Sequence, residues 1–207
     1  MIKKIGLTGG IGSGKSSVAE ILTSLLGSAH IDADEICRKL LEPQAEGWKE
    51  LSRILGPHYI TKDGRIDRGL LRKDLFADKG LRLKINNIIH PLVKKEIMAQ
   101  MERIIASESE ARVLVEVPLL YEVGWENLFD TVVVVYADYG TCLSRLMDRD
   151  GIDEITAARE MESQLPLADK VMKADHVIDN CGTLPDTAKQ AKHLAELLHK
   201  KSGRSTA

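Results

Sequence analysis

Residues 9–16 read Gly-Gly-Ile-Gly-Ser-Gly-Lys-Ser and constrain the fold more than any other stretch of the chain. They fit the pattern G-x-x-x-x-G-K-[ST]. Residues 5–8 before them are typical of a buried strand, and apolar residues at helical spacing follow: Val18, Ile21, Leu22, Leu25 and Leu26. A strand, a glycine loop and a helix in this order predict a phosphate-binding loop. The alternative is a glycine-rich turn that holds no ligand.

Each residue type in this loop suits a phosphate ligand. Glycines let backbone N–H groups turn inward without a Cβ in the way. The helix that begins near Lys15 would add the positive end of its dipole. Lys15 could reach the outer phosphates of a nucleotide, and the Ser16 hydroxyl could hold Mg²⁺.

The composition argues against several other classes of protein. At 207 residues the chain is long enough for one domain, or for one domain with an insertion. A net charge of −2 gives no basic field for nucleic acid or an anionic membrane. No apolar run approaches the roughly 20 residues that span a bilayer, and the first residues resemble a core strand rather than a signal peptide. Three scattered cysteines suggest neither a disulfide framework nor a metal site, so we expect a cytoplasmic protein.

Strand-like and helix-like segments alternate along the chain. The predicted strands are residues 5–8, 28–32, 112–118, 131–136 and 176–178. The predicted helices include residues 33–41, 42–56, 81–106, 152–163 and 184–198, and another that begins near Tyr139. The alternation predicts an α/β fold with a five-stranded parallel sheet and helices on both faces. A proline at position 91 predicts a kink or a break in the long helix of the insertion.

Charged side chains follow several of the predicted strands. Asp32 and Asp34 lie where the second strand meets a helix, at the edge of the sheet where ligands bind in open α/β folds. Glu116 ends the third strand and could orient the water shell of Mg²⁺. Arg145 and Arg149 share one helix face and could pair with phosphate oxygens. The alternatives are a helix cap for the aspartates, a structural hydrogen bond for Glu116 and a solvated face for the arginines.

A series of short motifs occurs in order along the chain. They are residues 7–16, 31–34, 63–68 with Phe76, 89–91, 117–122, Arg145 with 149–150, 164–166 with Lys170, and 174–182. The series resembles the dephospho-CoA kinase family, which catalyses the last step of coenzyme A synthesis, and the resemblance extends to about residue 198. The glycine loop is common to many kinases, whereas the other motifs in this order are specific.

The resemblance implies a three-layer P-loop fold formed by residues 1–198. Residues 42–110 would be a helical CoA-binding insertion, residues 139–165 a small helical lid, and residues 199–207 a polar tail. The implied reaction moves the γ-phosphoryl group of ATP, with Mg²⁺, to the 3′-hydroxyl of the ribose in dephospho-CoA. The implied partners are these two small molecules, without nucleic acid or membrane, and the protein would be a monomer or a weak oligomer.

The resemblance also implies site residues. The ATP phosphates would be held by Gly12, Ser13, Gly14, Lys15, Ser16 and Ser17, with Ser16 on the metal. Arg145 and Arg149 match the lid arginines, and Asn180 lies on the loop that runs beside adenine in similar kinases. Asp34 would be the base or orienter of the hydroxyl, and Lys15 and Arg145 would assist catalysis. The substrate side would comprise Thr8, Asp32, Asp34, His90, Pro118, Leu119 and Glu122.

One position departs from the family pattern. The lid helix of the family has an arginine where this chain has Glu160, and Arg159 stands one residue earlier. One residue is about 100° of rotation around a helix, so no phosphate-binding role is carried over to Arg159. The rival interpretations are another small-molecule kinase, a GTP-dependent switch, for which no Asn-Lys-x-Asp motif is present, and a nucleic-acid-dependent ATPase.

Overall fold

The computed structural model of the chain describes residues 2–108 and 110–202. The backbone divides into two compact units, one of Met1–Asp32 with Gln100–Ala207 and the other of Ala33–Ala99. The side chain of Phe76, which belongs to one of the motifs above, and residues 203–207 of the predicted tail lie outside the described part.

A five-stranded sheet forms the centre of the first unit. Its strands are β1 (Lys4–Gly9), β2 (Ala29–Asp32), β3 (Val113–Glu116), β4 (Thr131–Tyr136) and β5 (His176–Asp179). Their order is β2-β3-β1-β4-β5, and all four neighbouring pairs are parallel. All four residues of β3 are buried, as expected for a central parallel strand covered on both faces. The predicted parallel sheet is thereby confirmed.

Helices account for most of the remaining chain. They are α1 (Lys15–Leu26), α2 (Ala33–Leu40), α3 (Glu46–Ile54), α4 (Arg68–Ala77), α5 (Lys79–Ser107), α6 (Tyr139–Asp150), α7 (Glu154–Glu162), α8 (Leu167–Lys173) and α9 (Leu184–Ser202). Within the part of the chain described, no helix combines the length and the apolar character needed to cross a membrane.

The core of the first unit lies between the sheet and the helix pair α1 and α9. Leu7 of β1 and Leu22 of α1 are fully buried there, beside Leu198 of α9, which is 1% exposed. Apolar residues spaced three and four apart on α1 form the face that packs on the sheet. Because α1 is fixed in this way, its first turn holds the end of the glycine loop at the carboxyl edge of β1.

The second unit is helical, as its sequence predicts. Leu51 of α3 is fully buried, and Ile85 and Ile89 of α5 are each 5% exposed. The indole Nε1 of Trp48 donates to the carbonyl oxygen of Gly64 at 2.9 Å, which ties α3 to the turn before α4. Helix α5 continues through Pro91, so the proline does not break it.

Several boundaries differ from the sequence expectation. Helix α8 was not predicted, because a segment of seven residues is too short to show helical periodicity of its apolar positions. Helix α9 continues to Ser202, beyond residue 198, where the polar tail was expected to begin. Apolar residues guide such predictions, and a helix end that is polar on every side leaves no periodic signal.

Candidate active site

The glycine loop joins β1 to α1 through two residues with left-handed backbone. Gly12 has φ +76° and Gly14 has φ +85°, values that strain any residue with a side chain. A Cβ on Gly12 would overlap the carbonyl oxygen of Cys142, and a Cβ on Gly14 would overlap Nδ2 of Asn180. Both backbone angle and space therefore require glycine at these positions.

Asn180 fixes the second half of the loop from the turn after β5. Its Nδ2 donates to the carbonyl oxygen of Ser13 at 2.8 Å, and its Oδ1 accepts from Oγ1 of Thr187 at 2.7 Å. The side chain is 7% exposed, so both ends of the amide are used within the protein. The family resemblance placed Asn180 on a loop that runs beside adenine, and the structure shows that its side chain also supports the glycine loop.

Arg145 of α6 reaches the same half of the loop. Its Nη2 donates to the carbonyl oxygen of Asn180 at 3.1 Å. Its Nη1 is buried and has no hydrogen-bond partner within residues 2–108 and 110–202; a Cβ placed on Gly14 would lie 3.7 Å from it. A buried guanidinium N–H without an acceptor is costly, and an anionic oxygen in front of the loop would satisfy it. The loop and this arginine therefore fit a phosphate ligand.

Arg149 does not share this position, although it is one helical turn away on the same helix. Its Nε and Nη2 donate to the two carboxylate oxygens of Asp150 at 2.7 and 3.0 Å. The side chain is 59% exposed. Of the predicted arginine pair, Arg145 contacts the loop support at Asn180, and Arg149 pairs with Asp150.

Lys15 and Ser16 lie at the start of α1. Nζ of Lys15 donates to the carbonyl oxygen of Gly10 at 2.8 Å, and Oγ of Ser16 donates to Oε1 of Glu116 at 3.0 Å. Ser16 and Ser17 are exposed. The loop lysine and the hydroxyl that was predicted to hold Mg²⁺ thus both lie in the first turn of α1.

Glu116 is a buried carboxylate at the end of β3. It is 5% exposed, and Nε2 of His30 lies 3.8 Å from its Oε2. Asp32 is its register partner on β2. Burial raises the pKa of Glu116, and the charge of Asp32 adds to this; the Ser16 hydroxyl, Lys15 and His30 act in the opposite direction without cancelling the rise.

The donors around Ser16 fit Mg²⁺ as P-loop enzymes hold it. In the described part of the chain, no group of three or more histidine, cysteine, aspartate or glutamate side chains could hold a metal ion. Mg²⁺ in such enzymes needs no protein cage, because a hydroxyl, phosphate oxygens and waters complete its shell. The Ser16 hydroxyl donates its hydrogen bond to Glu116, so the lone pairs of its oxygen remain available for a cation.

Two of the residues predicted to contact substrate use their polar atoms inside the protein. Thr8 is fully buried, and its Oγ1 donates to the carbonyl oxygen of Pro118 at 3.2 Å. Glu122 accepts at Oε1 from the backbone N–H of Leu165 at 3.0 Å and pairs there with Nζ of Lys170 at 2.7 Å. Lys170 belongs to a motif of the sequence, but its burial and partners were not foreseen.

The remaining predicted acceptor residues have varied surroundings. Pro118 and Leu119, which follow β3, are half-buried. In the second unit, Asp34 is exposed in the first turn of α2, and its charge contributes to a pKa of about 11 for the thiol of Cys37, which is raised mainly by burial. His90 of α5 is half-buried, and burial lowers the pKa of its ring, so it is neutral near pH 7.

The departure at residues 159 and 160 has a clear structural counterpart. Glu160 is 6% exposed on the inner face of α7, whereas Arg159 is exposed. The pKa of Asp153 is lowered mainly by hydrogen bonds from Thr156, with a smaller contribution from the charge of Arg159. A buried acid therefore occupies the position where the family pattern has an arginine, and Arg159 lies on the exposed face of α7.

A cavity of about 510 Å³ adjoins the first half of the loop. Its walls include Gly10, Ile11, Tyr136, Cys142, Gln164 and Leu167. The backbone N–H of Ile11 donates to Oε1 of Gln164 at 3.2 Å, so this wall is tied to the loop. All of these residues belong to the first unit.

A parallel sheet with a phosphate loop after its central strand, flanked by an arginine and a hydroxyl, defines a P-loop phosphotransferase of the small-molecule kinase class. A family model described as dephospho-CoA kinase matches residues 3–186. The chain therefore belongs to the dephospho-CoA kinase family, which confirms the resemblance of its motifs.

Individual relatives agree with this assignment. The dephospho-CoA kinase of Geobacillus kaustophilus is 40% identical over 190 residues, which cover 92% of this chain and 94% of the relative. The solved structure of the dephospho-CoA kinase from Campylobacter jejuni is similar with a TM-score of 0.69 and 30% identity, over 96% of this chain and 98% of that one. A solved Thermus thermophilus structure has a TM-score of 0.80 and 30% identity, over 98% and 99% of the two chains.

The loop geometry predicts different effects for two glycines at opposite ends of α1. Gly14→Ala should lower stability and MgATP affinity together, because its Cβ adds an overlap with the Asn180 amide to the backbone strain. Gly27→Ala is the matched control, since Gly27 also has positive φ, +57°, but nothing lies within 4 Å of its Cβ. We expect Gly27→Ala to cost about 1–2 kcal/mol of unfolding free energy with unchanged MgATP affinity, measured by urea denaturation and calorimetry. Equal MgATP affinity in the two variants would contradict this interpretation.

The raised pKa of Glu116 predicts a pH-dependent stability difference. Folding favours the protonated carboxyl, so ionisation costs stability as the pH rises from the ordinary pKa of 4.5 through the raised one. Glu116→Gln cannot ionise at this position. The difference in melting temperature between this variant and the unmodified protein should therefore shift in favour of the variant as the pH rises from 4 to 7. Glu20→Gln, an exposed control on α1, should show no such gain. A difference for Glu116→Gln that stays constant with pH would refute the prediction.

Proposed function

We propose that the protein transfers the γ-phosphoryl group of MgATP to the ribose 3′-hydroxyl of dephospho-CoA, giving ADP and CoA. The observation that carries this proposal is the glycine loop with the unsatisfied Nη1 of Arg145 beside it, in a member of this family. A cradle of N–H groups next to a buried cationic donor suits a polyphosphate.

The loop residues and the arginines of α6 would have different roles in binding ATP. The backbone from Gly12 to Ser17 would bind the phosphate oxygens, assisted by the N-terminal end of α1. Lys15 and Arg145 would neutralise the charge that develops on the transferred group, and Arg149 could add a second guanidinium. Ser16 would hold Mg²⁺, which would offset the negative charge of the phosphates.

The acceptor side is proposed from the family motifs. Asp34 would accept the proton of the 3′-hydroxyl or orient that hydroxyl for in-line attack, and Asp32 would support it. Its exposure in the first turn of α2 supports a role toward a ligand. His90, Pro118 and Leu119 would line the CoA side, with neutral His90 offering a hydrogen bond rather than a charge.

The proposed organisation follows the same motifs. The helical segment of residues 42–110 would bind the CoA moiety, and residues 139–165, which include Arg145 and Arg149, would act as a lid that excludes water. We propose that the protein works in the cytoplasm as a monomer or weak oligomer, without nucleic acid or membrane. The three free thiols Cys37, Cys142 and Cys181 support a reducing compartment.

The reaction is tested by ADP release from MgATP with and without dephospho-CoA. We expect turnover that depends on dephospho-CoA, and a product heavier by one phosphoryl group at the 3′ position. The matched control is CoA itself, whose 3′-hydroxyl is already phosphorylated and which should not be an acceptor. No stimulation by dephospho-CoA in a protein that binds ATP would refute the reaction, and a panel of other hydroxyl compounds would then identify the acceptor.

The role of Asp34 is tested by Asp34→Asn. Loss of the carboxylate that accepts or orients the hydroxyl should lower kcat by about 10²–10⁴-fold with MgATP affinity retained. Glu35→Gln is the control, because Glu35 is the next acidic residue on α2 and its Oε1 pairs with Nζ of Lys39 at 2.7 Å. Steady-state kinetics should show near-normal turnover for Glu35→Gln; near-normal turnover for Asp34→Asn would remove Asp34 from the chemical step.

A further inference from the structure

Lys170 is a fully buried lysine outside the motifs that hold ATP. Its side chain is 0% exposed, and its ammonium group has three acceptors: Oε1 of Glu122 at 2.7 Å and the carbonyl oxygens of Pro118 and Gly9 at 3.1 and 3.4 Å. A lysine ammonium has three N–H donors, so its hydrogen-bonding capacity is matched. A buried charge is costly, and the carboxylate of Glu122 supplies the counter-charge that this lysine needs.

The acceptors of Lys170 lie on segments that border the glycine loop. Gly9 is the last residue of β1 and the first of the glycine loop. Pro118 follows β3, the strand that ends in Glu116, and also accepts the hydroxyl of Thr8. Lys170 itself lies on α8, so one ammonium group joins the entry of the loop to two other segments.

The segment before α8 is fastened to the same place. Oε1 of Glu122 accepts the backbone N–H of Leu165 as well as Lys170, and Oε1 of Gln164 accepts the N–H of Ile11. Leu167 packs on Gly10, with Cδ2 3.3 Å from the place that a Cβ there would take. These contacts of Lys170, Glu122, Gln164 and Leu167, called the junction below, hold the first half of the loop. Asn180 and Arg145 hold the second half.

We propose that Lys170 and Glu122 are positioning residues, which keep the first half of the glycine loop in the shape that binds the phosphates of ATP. This assigns Glu122 a role through Lys170 rather than a contact with substrate. The inference rests on the proposed function only in that the loop binds ATP, and it does not require dephospho-CoA as the acceptor.

The alternative is that the pair merely stabilises the fold. Among the described residues, Oε2 of Glu122 has no hydrogen-bond partner, so removing Lys170 alone leaves a buried carboxylate without its counter-charge. Lys170→Met is therefore expected to lower stability whichever role is correct, and stability alone cannot distinguish the two. Replacing both charged groups of a buried pair by neutral ones is often tolerated, so Lys170→Met/Glu122→Gln offers a folded protein without the junction.

The test compares MgATP affinity, by calorimetry without acceptor, with melting temperature. Loss of a partner that orients a metal ligand costs about 10–100-fold in affinity, and we expect an ATP dissociation constant raised by a similar factor in Lys170→Met. The double variant should regain melting temperature but not ATP affinity. Lys170→Arg, which keeps the charge and the donors, should retain more affinity than Lys170→Met. Leu198→Ala, a buried control in the α1–α9 core, should lose melting temperature with ATP affinity unchanged.

Amide hydrogen exchange in the ATP-free variants gives a second measurement. Exchange should accelerate in the peptide that contains residues 9–16 while that of β4 stays slow. Recovery of both stability and ATP affinity in the double variant, or normal ATP affinity in Lys170→Met, would overturn the proposal. If the unmodified protein binds ATP but does not phosphorylate dephospho-CoA, the proposed reaction fails and the test of Lys170 remains valid.

Discussion

The left-handed backbone at Gly12 and Gly14 is the constraint on which the rest of the site depends. Neither glycine has room for a Cβ, because the carbonyl of Cys142 and the amide of Asn180 fill the space. The shape of the loop is therefore imposed by α6 and by the turn after β5 as much as by the loop itself. The parallel sheet makes this possible, since β1 lies between β3 and β4 and all three end at the same edge.

The sequence predicts most of the strands of the sheet but not the order in which they lie. The run of one threonine, four valines and one tyrosine gives β4 at its observed limits, and the glycine pattern locates the loop. Strand order depends on which buried faces meet, and that information is not in the periodicity of any one strand. Pro91 shows the limit of local rules: a proline predicts a kink or a break, yet α5 continues through it, with Ile89 and Val93 buried on either side.

The sequence predicts which residues belong to the candidate site better than it predicts which residues they contact. Lys15 and Ser16 directly follow the glycines, so short spacings are enough to place them, whereas Arg145 was expected beside the phosphates from the family resemblance. Lys170 and Gly9 are 161 residues apart, and nothing in the spacing of either indicates that they meet. The sequence motif that contains Lys170 marks the residue without giving its purpose. For the same reason Glu122 was expected to face substrate, whereas its carboxylate holds a buried lysine and a backbone N–H.

The two arginines of α6 differ in their surroundings, although they lie on the same face of the helix. Arg145 keeps a buried donor without an acceptor in the described part of the chain, a state that costs about 1–3 kcal/mol until an anion arrives. Arg149 donates to both carboxylate oxygens of Asp150, and its side chain is 59% exposed. An anionic oxygen in front of the loop would relieve this penalty at Arg145. The buried Nη1 of Arg145, beside the second half of the loop, distinguishes this residue from the exposed Arg149 on the same helix face.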